Sequence, residues 1–433
     1  MAIRLSRRQA LVAASTLLLA GCGGAPAGGS GGGPGEVVLW YETGLPIADT
    51  LTSLVARYNA TKPATPVFAQ PQPDLSVKLL VVIGAHDAPN IVIYPRSRAW
   101  ELVSRGVAFP LTDFARRDGV TADAFSPGFW SGGVLKNQLW GLPLGADANI
   151  LAYNAKLLAE AKVQPAPYWS TSAFLAACAA LVKRDSSGHL IQTGAIFDPS
   201  VPFAVWLWQQ GADILSADLK TPAFNNAAGL KALNWLLASQ QTNGGAPEIG
   251  RLVSLTTLTG GINGVFNHAK LGTMPSTFSG FYRLKAQTPQ VAMHAATLPT
   301  IDGGQPATAS DIIYAFSPQQ ATAPNPEGTW QFIRWLATDA DAQNAMFGGG
   351  IIPALLTAQR SPAIASDPDA QVMLQALKVA RTPQDALWEP EVASSLQQEV
   401  QKALNGQATA QQALTDASNQ GLKTIQADMK LGE

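Results

Sequence analysis

From Leu139 to Asn154 the chain reads Leu-Trp-Gly-Leu-Pro-Leu-Gly-Ala-Asp-Ala-Asn-Ile-Leu-Ala-Tyr-Asn. It opens as an apolar run suited to a sheet, yet Pro143 and Gly145 interrupt any regular ladder. The apolar pattern resumes at Ile150–Tyr153, and between the halves stands a lone carboxylate, Asp147. A buried carboxylate needs a hydrogen-bonding partner or a crevice. Two readings fit. The run is a strand that leaves one globule, kinks and enters a second, or it is one bulged strand with a satisfied aspartate.

The surrounding pattern narrows the fold class. A chain of 433 residues has room for two or three domains. From Val37 strands and helices alternate: Val37–Trp40 as strand, a helix carrying Leu51, Leu54, Val55 and Tyr58, a short strand at Val67, and a helix over Leu75–Ile83. Asn90–Tyr94 is the next strand, and Pro95-Arg-Ser-Arg-Ala-Trp100 opens another helix. This alternation predicts an α/β fold, a parallel sheet with helices on both faces. Ligands of such sheets bind beyond the carboxyl ends of the strands, which selects Trp40–Gly44, Tyr94–Arg98 and Asp147.

Further along, Val201–Gln210 reads as a helix with two apolar faces, and Trp206 is assigned to a cleft because a surface helix buries only one. Ser276–Arg283 reads as a strand-to-helix turn, which presents backbone N–H groups and hydroxyls to a ligand oxygen. Thr308–Phe316 is a strand with Ser310 and Asp311 near its start, and Gly348–Pro353 is a second break like that at Pro143–Asp147. The remainder is helical: Gln371–Ala380, Ala393–Leu404, and Thr409–Met429 interrupted at Gly421.

The N-terminus reads as an address. Arg4, Arg7 and Arg8 precede the apolar stretch Ala10–Ala20, which is too short to anchor in a bilayer. Leu19-Ala-Gly-Cys22 is a lipobox, predicting a signal peptide over 1–21 and a lipidated Cys22. Ser6-Arg7-Arg8 resembles a twin-arginine signal with Ala10 in place of the usual Phe, so export as a folded or an unfolded chain stays open. Residues 22–36 form a Gly-, Ala-, Pro- and Ser-rich tether of roughly 20 Å r.m.s. span. The net charge of −1, without basic clusters, argues against a nucleic-acid partner. The four histidines lack metal-ligand spacing, and no metal or cofactor is expected. Cys178, inside an apolar helical run, reads as core.

Several short motifs, taken in order, resemble family 1 extracellular solute-binding proteins of ABC importers, the maltose-binding-protein-like group. They are Val38-Leu-Trp40, Asp87-Ala-Pro89, Leu139–Pro143 with Asp147 and Tyr153-Asn154, Trp208-Gln-Gln-Gly211, Trp330–Leu336, Gly350–Pro353, and Leu404-Asn-Gly406 with Ala413-Leu414. The resemblance implies a two-lobed periplasmic-binding-protein fold, each lobe a mainly parallel sheet flanked by helices. It also implies three hinge crossings, near Gly145–Asp147, Ala296–Pro299 and Gly350–Pro353. The lobes would be 37–146 plus 299–350, and 147–298 plus 351–433. Carried over by position, the ligand-facing set is Trp40, Tyr41, Glu42, Thr43, Tyr94, Ser97, Arg98, Asp147, Trp206, Ser279, Gly280, Phe281, Tyr282, Ser310, Asp311 and Ile351. Trp388 is added because Ala393 stands where members place a large contacting side chain. Asn90-Ile91 and Ser310-Asp311 depart from the family pattern.

The resemblance implies capture of a neutral sugar or oligosaccharide by a monomer, anchored by its lipid to the outer face of the cell membrane. The partner would be the transmembrane subunits of an ABC permease. Carboxylates and Arg satisfy hydroxyl groups, while Trp and Tyr cover the C–H faces of a sugar. A glycerol-phosphate binder of the same group is the nearer alternative, but it supplies an Arg where this chain has Ala393, leaving Arg98 and Arg283 as donors. An exported glycosidase is the alternative of another class, with Asp147 and either Asp311 or Glu42 as its carboxylate pair.

Overall fold

The computed structural model describes residues 35–85, 87–165, 169–197, 201–256, 261–318 and 325–431. Cys22 and most of the tether lie outside the described residues. The principal elements, in chain order, are β1 (Val37–Glu42), α1 (Ala48–Ala60), β2 (Val67–Gln72), α2 (Leu75–Gly84), β3 (Ile91–Pro95), α3 (Arg96–Ser104) and β4 (Gly141–Asn154). Then come α4 (Thr171–Leu181), β5 (Leu190–Ala195), α5 (Phe203–Gln209), α6 (Ala227–Thr242), β6 (Leu271–Thr277), α7 (Phe278–Gln287), β7 (Met293–Ala296) and β8 (Thr308–Pro318). The last are α8 (Pro326–Thr338), α9 (Ala340–Gly348), β9 (Ile352–Pro353), α10 (Pro368–Leu377), α11 (Glu389–Leu404) and α12 (Ala410–Leu431).

Helix starts follow the local chemistry. Asn226, Thr277, Asn325 and Asp339 each accept a backbone N–H of the first turn, and Pro326 and Pro368 occupy positions that need no donor. The expected break at Gly421 is absent, and α12 runs through it. A Cβ there would lie 3.0 Å from Pro222 and 3.1 Å from Val392, so this glycine lets α12 approach α11 closely.

One mixed sheet runs β2–β1–β3–β8–β4–β6–β5. β1 pairs in parallel with β2 and β3, and β5 with β6. The central pairings β3–β8, β8–β4 and β4–β6 are antiparallel, so the mainly parallel expectation holds only away from the centre. β4 joins both halves as one 14-residue strand. Its residues 141–148 pair with β8, and 149–153 pair with β6. Pro143 does not break it: the register slips between Ile313 and Tyr314, leaving Leu144 as an extra residue beside the proline. Gly145 has a separate reason to be glycine, since a Cβ would come within 2.6 Å of the Ile352 carbonyl on β9. Both sequence readings of this run were therefore half right.

Two lobes form around this strand. One core gathers Val37, Leu39, Ile91, Leu142, Leu144, Ile313, Trp330 and Phe332, with a satellite of Trp40, Leu79, Tyr94 and Phe316 over the sheet's other face. The second lobe holds a cluster built on Leu151, Phe174, Trp206, Trp235 and Leu396, and another on Ile150, Phe266, Phe281 and Met373. Leu298, Ile301 and Ala307 pack with Trp206, which puts the second crossing at Ser310–Ile312 rather than Ala296–Pro299. Ala354, Leu355 and Ala358 pack in the first lobe, and Ile364 begins the return to the second. Ile351 packs in the first lobe and Ile352 in the second, so the passage between lobes extends from Ile351 to Ile364.

Candidate functional site

The strand registers build the site. Pro95, Ile313, Gly145 and Pro353 stand abreast on β3, β8, β4 and β9. Two residues beyond Ile313, Asp311 faces Asp147 across the β8–β4 ladder, and Ser310 faces Ala148. Arg96 follows Pro95 at the start of α3. A line of Arg96, Asp311 and Asp147 therefore lies where the sheet passes from one lobe to the other. Glu42 and Thr43 end β1 on the same carboxyl edge, half-buried and exposed.

Asp147 is held, not free. Its carboxylate accepts the Ser279 N–H at 3.2 Å and the Ser279 hydroxyl at 2.5 Å, at the start of α7. Burial pushes the carboxyl up to about 6, against the Ser279 hydrogen bonds, which favour the ionised form. The Ser310 hydroxyl donates to the Asp147 carbonyl at 2.9 Å. Gly280 donates its N–H to Thr277 at 3.1 Å. Tyr282, half-buried, donates to Asp367 and stacks edge-on against Phe347 with centroids 5.4 Å apart. Gly350 lies against this helix, where a Cβ would meet Ser279 Cα at 2.7 Å.

Other expected contacts sit inside the lobes. Trp206 is 1% exposed, its ring 4.4 Å from that of Trp235 and edge-on to Phe197, so its assignment to the cleft is corrected. Every residue of α5 is buried, so the helix has no outward face to give a cleft. Trp40 is also core: its indole N–H donates to Gln70 at 2.8 Å, and Lys78 lies 5.0 Å over its ring. Tyr41 shares a hydrogen bond with Thr52 at 2.6 Å, and Phe281 and Ile351 are buried in the clusters of their lobes. Tyr94 is buried and donates to Ser76, which also accepts from Arg98 at 3.2 Å. Ser97 lies in α3. Trp388 is half-buried against the Trp206 cluster and donates to the Leu219 carbonyl at 2.7 Å.

Of two further charged residues at this junction, Asp385 escaped the sequence reading, and Arg96 entered it only as part of the loop Tyr94–Arg98. Arg96 forms a two-pronged ion pair with Asp385, at 2.9 and 2.8 Å. In the sequence Arg96 is one of two arginines in Pro95-Arg-Ser-Arg, and the spacing does not say which turns inward. Among the described residues no cluster of His, Cys, Asp or Glu could hold a metal ion. No described helix is long and apolar enough to cross a membrane.

Residues 53–372 match a family described as bacterial extracellular solute-binding protein. The chain belongs to that family. A maltotriose-binding protein of Pyrococcus abyssi is 25% identical over 128 residues, 30% of this chain and 28% of that one. A putative binding protein of Brucella abortus is 25% identical over 273 residues, 60% and 61% of the two chains. The chain thus spans less than two thirds of each of these relatives. Among solved structures, a Listeria monocytogenes ABC substrate-binding protein in complex with cycloalternan superposes with a TM-score of 0.76 at 16% identity, covering 90% and 99%. The cyclic α-maltosyl-1,6-maltose-binding protein of Arthrobacter globiformis gives 0.73 at 21%, covering 91% and 100%. A Thermotoga lettingae solute-binding protein bound with α-D-tagatose gives 0.73 at 18%, covering 90% and 99%. At these identities the likeness establishes the two-lobed fold of the solute-binding family.

Proposed function

We propose that this solute-binding protein captures a neutral sugar or oligosaccharide between its lobes and delivers it to the transmembrane subunits of an ABC permease, without chemistry of its own. The observation that carries the reading is the line of Arg96, Asp311 and Asp147 at the lobe junction, flanked by Glu42 and Ser279. Carboxylates, a guanidinium and a hydroxyl in that spacing suit a ligand made of hydroxyl groups. The superposing proteins bound with cycloalternan and tagatose support the same class. Capture follows from closure, in which the ligand favours the closed arrangement only by binding it better than the open one. The lobes in this reading are residues 37–146 with 312–358, and 147–309 with 364–433.

A phosphate ligand fits less well. Phosphates are held by Arg forks or free helix N-termini. Here the start of α7 is occupied by Asp147, and Ala393 and its neighbours on α11 offer no cation. A glycosidase would use Asp147 with Asp311 or Glu42 as its carboxylate pair, and the recovery of unchanged sugar in the titration below tests against it.

Calorimetric titration with maltotriose, mannobiose, D-tagatose and glycerol 3-phosphate tests the reading. Heat with at least one saccharide, unchanged sugar recovered afterwards and silence with the phosphate are expected. Heat with the phosphate alone would move the protein to the other branch, and hydrolysed sugar would make it an enzyme. We further propose anchoring through Cys22. Cys22→Ala is expected to leave the membrane fraction, and its retention there would remove the anchor from the proposal.

A further inference from the structure

Two carboxylate contacts flank the paired strands β4 and β8. On the β4 side Asp147 holds Ser279, as described. On the β8 side Asp385 reaches Arg96. The segment carrying Asp385 is fastened to the second lobe. Ala386 and Trp388 pack on the Trp206 cluster, and Arg381 pairs with Asp213 at 2.8 Å. The Gln384 side chain accepts the Leu215 N–H at 2.7 Å and donates to the Leu215 carbonyl at 3.1 Å.

Arg96 is fastened in the first lobe. Its side chain is 12% exposed, set in a small cavity with Gly132, Gly133, Trp140 and Tyr314. A Cβ on Gly132 would lie 3.3 Å from its Cδ and Nε, so the glycine makes room for the guanidinium. The pair is thus anchored at each end in a different lobe. Two parallel N–H···O bonds tolerate little relative rotation of their partners. The Asp385 side chain is 56% exposed, so the contact is wetted and readily exchanged for water. Such a pair registers the angle between lobes without holding either lobe together.

We infer that Arg96 and Asp385 are positioning residues for ligand capture, forming a latch between the lobes that sets the balance of open and closed states. The inference rests on capture by closure but not on the identity of the ligand, so its test uses the ligand-free protein. Spin labels are placed on the exposed positions Ser53 and Gln412, one in each lobe, by Ser53→Cys and Gln412→Cys in a Cys22→Ala background. Cys178 is buried and stays unlabelled. The distance distribution is then read by pulsed double resonance. Asp385→Asn and Arg96→Gln are each expected to move the distribution away from that of the parent, and the double variant no further than either. Arg96→Lys, which keeps the charge but loses the fork, is expected to follow Arg96→Gln. Melting temperatures should stay within a few degrees of the parent. Parent-like distributions in both single variants, or shifts that add in the double variant, would overturn the latch. Parent-like behaviour of Arg96→Lys would overturn its dependence on the fork.

Discussion

At the scale of single residues, the most informative groups are carboxylates withdrawn from water. Glu389 opens α11 with only 4% of its surface exposed, and burial, aided by the charges of Glu391 and Asp385, raises its carboxyl to about 7. Asp147, at about 6, is raised by burial too. Both bind their protons more tightly folded than unfolded. Their contribution to stability is therefore full below about pH 4 and is lost as pH rises through 6 and 7. Glu389→Gln removes one of these losses. It is expected to exceed the parent in stability at pH 8 by up to roughly 3 kcal/mol, with the gain vanishing near pH 4. Urea unfolding at several pH values measures this, and a gain independent of pH would point to packing instead. The sequence singled out Asp147 because a lone carboxylate in an apolar run demands an explanation. It could not single out Glu389, which sits in an ordinary charged helix start, Trp388-Glu-Pro-Glu391.

Elements were legible to the extent that their pattern is local. Helix boundaries set by Asn, Thr, Pro and Asp caps lie close to where the residues put them. The strand alternation from Val37 to Pro95 also followed from composition and spacing alone. What the pattern missed depends on neighbours distant in sequence. The helix containing Trp206 was read as half-exposed, since its second face is covered by α6 and α11, which lie beyond it in the sequence, α11 near the end of the chain. Close approach between elements is similarly silent until both are placed. Gly194 on β5 meets α4 so tightly that a Cβ would sit 2.4 Å from the Cys178 Cα. Gly250, in the helix Ala246–Ser254, faces open space. Gly194→Ala is expected to destabilise by more than about 2 kcal/mol through backbone displacement. Gly250→Ala is expected to stabilise by roughly 0.5–1 kcal/mol through helix propensity. Paired denaturant curves decide, and equal effects would contradict the stated contacts.

For the whole molecule, the lobes are separate as cores but continuous as a sheet. β4 belongs to both, and its first half pairs with β8 and β9, which come from beyond residue 307. The sequence announced the two-sided character of β4 in its interrupted apolar run, but not its partners, because register across long separations leaves no local mark. A fragment ending at residue 300 keeps β1 to β7 and lacks the strand that joins β3 to β4. It is expected to unfold without a cooperative transition in urea, whereas the intact chain gives one. A cooperative transition in the fragment would mean that the lobes fold independently.

The same strand also sets a clock. At synthesis rates of roughly 5–20 residues per second, some 10–30 s separate the appearance of Gly141 from that of its partner Phe316. Throughout that interval the first lobe lacks β8, which leaves its central slot empty and its sheet unformed. A nascent chain in this condition can be threaded through a narrow export channel, and once β8 fills the slot it can cross only as a folded body. For the membrane anchoring proposed through Cys22, the delay built into β4 therefore sets how long threading stays open to the chain.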